Sequence, residues 1–234
     1  MSQAVARWSS RQHKVLDALG IDIWVSPDRF TDAPATDSVT GVRVDGAADQ
    51  DWIALEREAL SCTRCSLHRS RTQVVFGVGN PGADWLIIGE APGVEEDRRG
   101  EPFVGRAGQL LNEMLRSAGL TREQVYIANI LKCRPPENRD PRPEEVSCCI
   151  PYLERQIGHI APRLILAVGC IAAQNLLGVD TPLGRLRGTV HNFGTGSIPV
   201  VVTYHPAYLL RSPSQKRKAW EDLLLAQQLV EDIS

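Results

Sequence analysis

The sequence predicts an α/β fold, a three-layer α/β/α sandwich with a central, mostly parallel four-stranded sheet. Four apolar, β-rich runs recur along the chain, at Trp85–Gly89, 125–130, Leu164–Val168 and 200–203. Helical stretches alternate with them, and a β-α-β-α order implies parallel strands joined by crossovers. The runs are continuous rather than alternating, the pattern of strands buried on both faces.

Residues 9–20 read as a helix ending at Gly20, followed by the short apolar stretch IDIWV. Residues 31–50 are small and polar without periodicity and read as a linker. The expected organisation is therefore an N-terminal helix and flexible linker over residues 1–50 and a main domain over 51–234. A helix across WIALEREALSC opens that domain, and further helices are expected at 107–118, Pro143–Ile160, 171–177 and 215–230. In such sheets a ligand sits beyond the carboxyl ends of the strands. That rule singles out GEAPG, NILKC, GC and YHPAYLL, each directly after a strand.

Composition narrows the class. A chain of 234 residues suffices for one substantial domain with a short appendage, and 43% apolar and 23% charged residues are ordinary for a soluble protein. No apolar run reaches the roughly 18 residues of a membrane span, and the N-terminus lacks the apolar core of a secretory signal. A cytoplasmic monomer without membrane contact is the expectation, its cysteines reduced unless they hold metal or do chemistry. The net charge of −2 argues weakly against nucleic acid, but local clusters matter more than the sum. Basic residues gather at Arg64, Arg69 and Arg71, then at Lys132, Arg134, Arg139 and Arg142, and again at Arg211, Lys216, Arg217 and Lys218. Solvated loops and helix faces account for about half of these clusters.

Four of the six cysteines form a pattern. Cys62 and Cys65 make a C-x-x-C pair after the first domain helix, Cys133 follows the second strand, and Cys149 lies on the next helix. Zinc and a [4Fe–4S] cluster both accept four thiolates, and ordinary buried cysteines fit as well. A redox C-x-x-C lacks thioredoxin-like surroundings. Cys148 and Cys149 diverge by about 100° on a helix, so one of them faces any shared site.

At the strand ends, GEAPGVEED shapes a turn that brings amides and carboxylates together, a weak signal alone. Phe103 follows it, with core packing as its ordinary alternative. Asn129 ends a strand, where an amide can read the paired donor and acceptor of a base edge. His205 precedes a proline at the end of another strand, a better place for a catalytic group than most.

Taken together, GEAPGVEEDRRGEPFVGRAGQLL, YIANILKCRPPENRDP and HPAYLLRSP resemble the family 4 uracil-DNA glycosylases, the iron–sulfur type. The resemblance covers about residues 58–230 and leaves 1–50 outside. It implies a DNA-repair enzyme that flips uracil out of DNA and hydrolyses its N-glycosidic bond, leaving an abasic site. Cys62, Cys65, Cys133 and Cys149 match the family's [4Fe–4S] ligands, which leaves Cys148 unliganded. Phe103 matches the aromatic that stacks on uracil, Asn129 the amide that reads its edge, and His205 the histidine facing uracil O2. Glu90 and Ala91 match the water-side loop, Glu96 a carboxylate near the pocket floor, and Asn138 a further motif asparagine. On this reading His205 stabilises the departing uracil anion and Glu90 the cationic sugar. Arg134, Arg139 and Arg211 grip phosphates, and Leu209 or Leu210 fills the vacated stack. Uracil-containing DNA is the expected partner, and residues 1–50 a site for a protein partner.

The sequence departs from two relatives of that family. A branch that captures DNA covalently uses a histidine in a KRRIH-type insertion, whereas KCRPPENRDP has none. Family 1 enzymes carry a water-activating aspartate where this chain has Ala91, so the resemblance does not assign that role. Two other classes retain the cysteines, a zinc-stapled nucleic-acid-binding module and an electron-transfer protein. Neither needs Phe103, Asn129 and His205 at converging strand ends.

Overall fold

The computed structural model describes residues 46–194 and 198–232. The helix expected at 9–20 and the linker residues 31–45 lie outside the described residues. The first described helix, α1 (Gly46–Leu60), begins five positions before the expected domain start at Asp51. The remaining α-helices and strands begin with β1 (Val78–Gly79), β2 (Trp85–Gly89), α2 (Val94–Arg99), α3 (Arg106–Ser117), β3 (Tyr126–Asn129) and α4 (Pro143–Ile160). After them come β4 (Leu164–Val168), α5 (Cys170–Leu177), α6 (Leu183–Leu186), β5 (Val190–Phe193), β6 (Ile198–Thr203), α7 (Pro206–Arg211) and α8 (Lys216–Asp232).

Among the described residues the sheet has six strands in the order β1-β3-β2-β4-β6-β5. Its central four, β3, β2, β4 and β6, are mutually parallel and are the four apolar runs of the sequence. The expectation of four strands is corrected by two antiparallel edges, β1 on β3 and β5 on β6. Both edges escape an apolar-run criterion for a physical reason. Strand β1 is two residues long, and β5 alternates between exposed and half-buried positions because its outer residues face water.

Alternation explains why the central runs are apolar throughout. Leu86 and Ile88 of β2 join one core cluster, with Leu153 and Ile157 of α4 and Ala172 and Leu176 of α5. Trp85 and Ile87 join the other, with Leu111 and Leu115 of α3, Leu209 of α7 and Leu223 of α8. Each central strand therefore buries both of its faces, giving three layers with helices on either side. A third cluster packs α1 through Leu55 and Ala59 onto Leu131 and the cysteine region. Among the described residues no helix is long and apolar enough to cross a membrane.

The chain runs from β2 outward to β3, then crosses back to β4 on the other side of β2. That reversal opens a crevice beyond the carboxyl ends of the strands.

Candidate active site

The loop after β2 supplies Glu90 and Ala91, the end of β3 supplies Asn129, and the loop after β6 supplies His205. With Glu96, Phe103, Asn138, Arg139 and Arg211 they line one cavity of about 500 Å³. Glycines make the convergence sterically feasible. A Cβ on Gly89, the last residue of β2, would come within 2.4 Å of Asn129 Oδ1 and 2.7 Å of the Phe103 ring. Gly169 follows β4 at φ +104°, and a Cβ there would stand 3.2 Å from that of His205.

Phe103 is buried and adopts φ +53°, a left-handed conformation that costs a bulky residue energy. Braces on both sides hold it there. Glu96 Oε1 accepts the backbone N–H groups of Val104 at 2.9 Å and Gly105 at 3.0 Å, and Oε2 accepts that of Gly93 at 3.2 Å. Arg122 donates to the Pro102 carbonyl and, through Nη1, to the Phe103 carbonyl at 3.4 Å. Helix α3 comes so close that a Cβ on Gly108 would lie 1.7 Å from the Phe103 carbonyl oxygen. The result presents the Phe103 ring to the His205 ring, with centroids 5.6 Å apart and planes inclined by 31°. Glu96, expected near the floor, lines the cavity and ties its loops together.

His205 is the N-cap of α7, and its Nδ1 accepts the Ala207 backbone N–H at 3.1 Å. A ring nitrogen that accepts carries no proton, so in the neutral ring the proton sits on Nε2. Burial and the charge of Arg211 push the imidazole down to about 4, against the pull of Glu96. At neutral pH it is an uncharged donor through Nε2. Glu90 moves the other way. Burial and the neighbouring Asp140 raise its carboxyl to about 7. One wall of the cavity thus carries a neutral donor and another a destabilised carboxylate.

The expected DNA-facing residues divide. Arg211 and Leu210 are exposed on α7, but Leu209 is 1% exposed and packs in the core with α3 and α8. Of the two leucines, Leu210 alone is available to a DNA stack. Successive positions on a helix diverge by about 100°, which is why adjacent leucines separate. Arg139 lines the cavity while its guanidinium pairs bidentately with buried Glu145 at 2.9 and 2.6 Å. Arg134 donates to Asn138 Oδ1 at 2.8 Å, fixing a turn in which Glu137 and Asn138 both have positive φ.

Cys62, Cys65, Cys133 and Cys149 line a separate void with apolar walls from Ala59, Leu67 and Leu131. Arg71 Nη1 lies 3.1 Å from Cys133 Sγ, and the Lys132 backbone N–H lies 3.2 Å from Cys149 Sγ. Such N–H donors toward sulfur suit thiolates that bind a metal group, so the donor set fits one. Among the described residues no set of three or more His, Cys, Asp or Glu groups converges as a single-ion site. Cys148 also borders the void and is 3.5 Å from the Arg64 carbonyl oxygen.

Sequence reasoning missed Asp140, Tyr208 and Arg122. Asp140 and Tyr208 sit within quoted motifs, yet only the folded chain shows them at the cavity. Arg122 lies 19 residues beyond Phe103 and carries no motif at all.

A family model described as the uracil DNA glycosylase superfamily matches residues 76–224. A type-4 uracil-DNA glycosylase of Archaeoglobus fulgidus is 50% identical over 171 residues, covering 70% of this chain and 85% of that protein. The type-4 uracil-DNA glycosylase of Thermotoga maritima is 45% identical over 172 residues, covering 72% and 89%. A type-5 uracil-DNA glycosylase of Thermus thermophilus is 35% identical over 149 residues, covering 56% and 68%.

Gly108→Ala ordinarily strengthens a helix by about 1 kcal/mol. Here the clash with the Phe103 carbonyl is expected to reverse the sign and destabilise the fold by about 1–3 kcal/mol in urea unfolding. Glu90 has a folded-state pKa of about 7 against an ordinary 4.5. Stability linked to its protonated form is complete below the ordinary value and is lost as pH rises through 7. Glu90→Gln is therefore expected to exceed the parent protein in stability at about pH 8 and to match it at about pH 4. An equal effect at both values would show that the carboxyl is well solvated.

Proposed function

The chain belongs to the uracil DNA glycosylase superfamily and excises uracil from DNA, and on that premise we propose that the cavity at the strand ends receives the extruded base. The observation that carries this reading is the convergence of Asn129, Phe103 and His205 on one cavity from separate parts of the chain. Extrusion costs a few kcal/mol of unstacking and unpairing, offset by contacts inside the pocket. Phe103 supplies a pre-set aromatic face for the pyrimidine. The Asn129 amide reads the edge where uracil and cytosine exchange donor and acceptor.

Cleavage leaves negative charge on uracil and positive charge on the sugar. His205, its Nδ1 held by the Ala207 N–H, donates through Nε2 to the oxygen where the anion grows. A neutral donor suits this step, because its hydrogen bond strengthens as charge develops and favours the transition state over the ground state. Glu90 complements it on the sugar side. Its carboxylate is strained by burial and by Asp140, and a developing cation relieves that strain. The same carboxylate orients the attacking water in place of the aspartate absent at Ala91. Arg134, Arg139 and Arg211 approach phosphates, Arg139 from within its ion pair, and Leu210 enters the vacated stack.

We further propose that Cys62, Cys65, Cys133 and Cys149 hold a [4Fe–4S] cluster. When bound, it supplies four iron–thiolate bonds and no redox step in base excision. Those cysteines belong to the segment after α1, the loop after β3 and helix α4, so they join three parts of the chain beside Asn129. Residues 1–50 stand outside the chemistry on this reading, and a chain beginning at Asp51 is expected to retain excision.

Single-turnover uracil release tests the pocket. His205→Ala is expected to slow cleavage about 10²–10³-fold with DNA binding nearly intact. Asn129→Asp is expected to lose uracil excision strongly. Wild-type rates in both variants would remove these residues from the chemistry. For the cysteines, protein purified without oxygen is expected to absorb broadly near ~400 nm. Cys133→Ala and Cys149→Ala should lower that absorbance, while Cys148→Ala should not. Equal losses at Cys148 and Cys149 would reject Cys149 as the sole fourth ligand.

A further inference from the structure

Besides the His205 imidazole, two aromatic rings, Phe103 and Tyr208, line the cavity and differ in setting. Phe103 is 7% exposed, whereas Tyr208 is 38% exposed. Tyr208 lies in the first turn of α7, and its backbone N–H donates to the His205 carbonyl at 2.9 Å. Ring and imidazole are therefore carried by the same turn.

Exposed aromatic rings are normally free to change rotamer, but this one has a backing. Tyr208 stacks on Tyr204 with centroids 5.1 Å apart and planes 24° from parallel. The Arg187 guanidinium lies over the Tyr204 ring at 5.0 Å. Arg187 is anchored in turn by buried Asp222 on α8, with hydrogen bonds of 3.1 and 2.8 Å. The series from Asp222 through Arg187 and Tyr204 to Tyr208 runs from the core to the cavity edge, and each member restrains the next. Arg211 lines the cavity one turn further along.

We propose that Tyr208 is a stacking platform for the base adjacent to the extruded uracil in the same strand, a nucleobase subsite outside the base pocket. This rests on the cavity being the uracil pocket. Extrusion strips the neighbouring base of one stacking partner, and Leu210 in the gap covers only part of the apolar face turned toward water. A ring already immobilised at the cavity edge restores that contact without the entropy cost of ordering a free side chain. Stacking on a π-face tolerates any base and favours the larger purines. Arg211 supplies positive charge for the phosphate beside that base, so the pair engages one nucleotide through ring and backbone together.

A binding cycle on the full chain tests the subsite. The probes are single-stranded oligonucleotides bearing 2′-fluoro-deoxyuridine, whose glycosidic bond resists cleavage. The uracil is flanked by adenines, or by an abasic analogue on its 5′ or 3′ side. Tyr208→Ala is expected to weaken binding of the adenine-flanked strand about tenfold, the scale of one base–aromatic stack. Removing the base on one flank should cost the parent protein a similar factor and cost Tyr208→Ala almost nothing more. Tyr208→Leu, which keeps an apolar side chain, should behave as Tyr208→Ala, while Tyr208→Trp should retain parent affinity. Independent, multiplying losses on both flanks would overturn the subsite. Uracil release by Asn129→Asp on ordinary deoxyuridine distinguishes the two levels. Its loss beside independent flank effects removes the subsite alone, whereas its full retention removes the pocket reading and the subsite with it.

Discussion

Glu96 joins two loops that the sheet alone would leave independent. Its carboxylate accepts backbone N–H groups from Gly93, in the loop after β2, and from Val104 and Gly105, beyond the aromatic. Between those anchors Phe103 is held at a positive φ that its own preference disfavours. Arg122 secures the carbonyls on the opposite side, and Gly108 leaves room for the carbonyl of Phe103. The position of the ring depends on this double restraint. An ionised acceptor meeting several backbone donors gives charge-assisted bonds, about twice as strong as neutral ones. A flexible loop would have to order its aromatic at the moment of binding, whereas this one is ordered beforehand.

The electrostatic arrangement rests on the same backbone. His205 and Glu90 share one cavity, yet their proton affinities shift in opposite senses, the histidine down to about 4 and the glutamate up to about 7. Burial disfavours the charged form of each, so both shifts have one leading cause. Their neighbours sharpen it, with cationic Arg211 near the histidine and anionic Asp140 near the glutamate. On the proposed reading, groups pushed apart in this way divide the labour of stabilising a departing anion and a developing cation.

Lys132 connects the cavity to the cysteines. Its side chain is fully buried, and Nζ donates to the Asn129 carbonyl at 3.0 Å and to Gln156 Oε1. Its backbone N–H faces Cys149, and Cys133 is the next residue. Gln156 carries the network on to the Phe76 carbonyl at 3.1 Å. The turn between Asn129 and the proposed cluster is thus cross-linked by polar contacts in a dry interior, where hydrogen bonds hold geometry tightly. Burial lowers the lysine to about 8, the consequence of placing an ammonium where water cannot reach it.

Local pattern was enough for the core of the fold. The four parallel strands appear as unbroken apolar runs because each residue is buried on one face or the other, and α4 shows its exact limits through Pro143 and its apolar periodicity. The edge strands β1 and β5 were illegible because their stability comes from a partner strand rather than from side-chain burial. Motifs at strand ends marked Glu90, Phe103, Asn129 and His205, since a parallel sheet directs its loops to one edge. The same motifs did not separate Leu209 from Leu210, a matter of helix rotation against the core. Nor did they disclose Arg122 behind Phe103, or the line from Asp222 to Tyr208, whose members are brought together by the packing of α7 and α8 on the sheet. Sequence by itself determined the layers, the strand ends and the chemical types gathered there, because periodicity and motif are properties of neighbours along the chain. Only the tertiary structure decided which groups are strained, shielded or braced, because those properties arise between residues far apart in sequence and close in space.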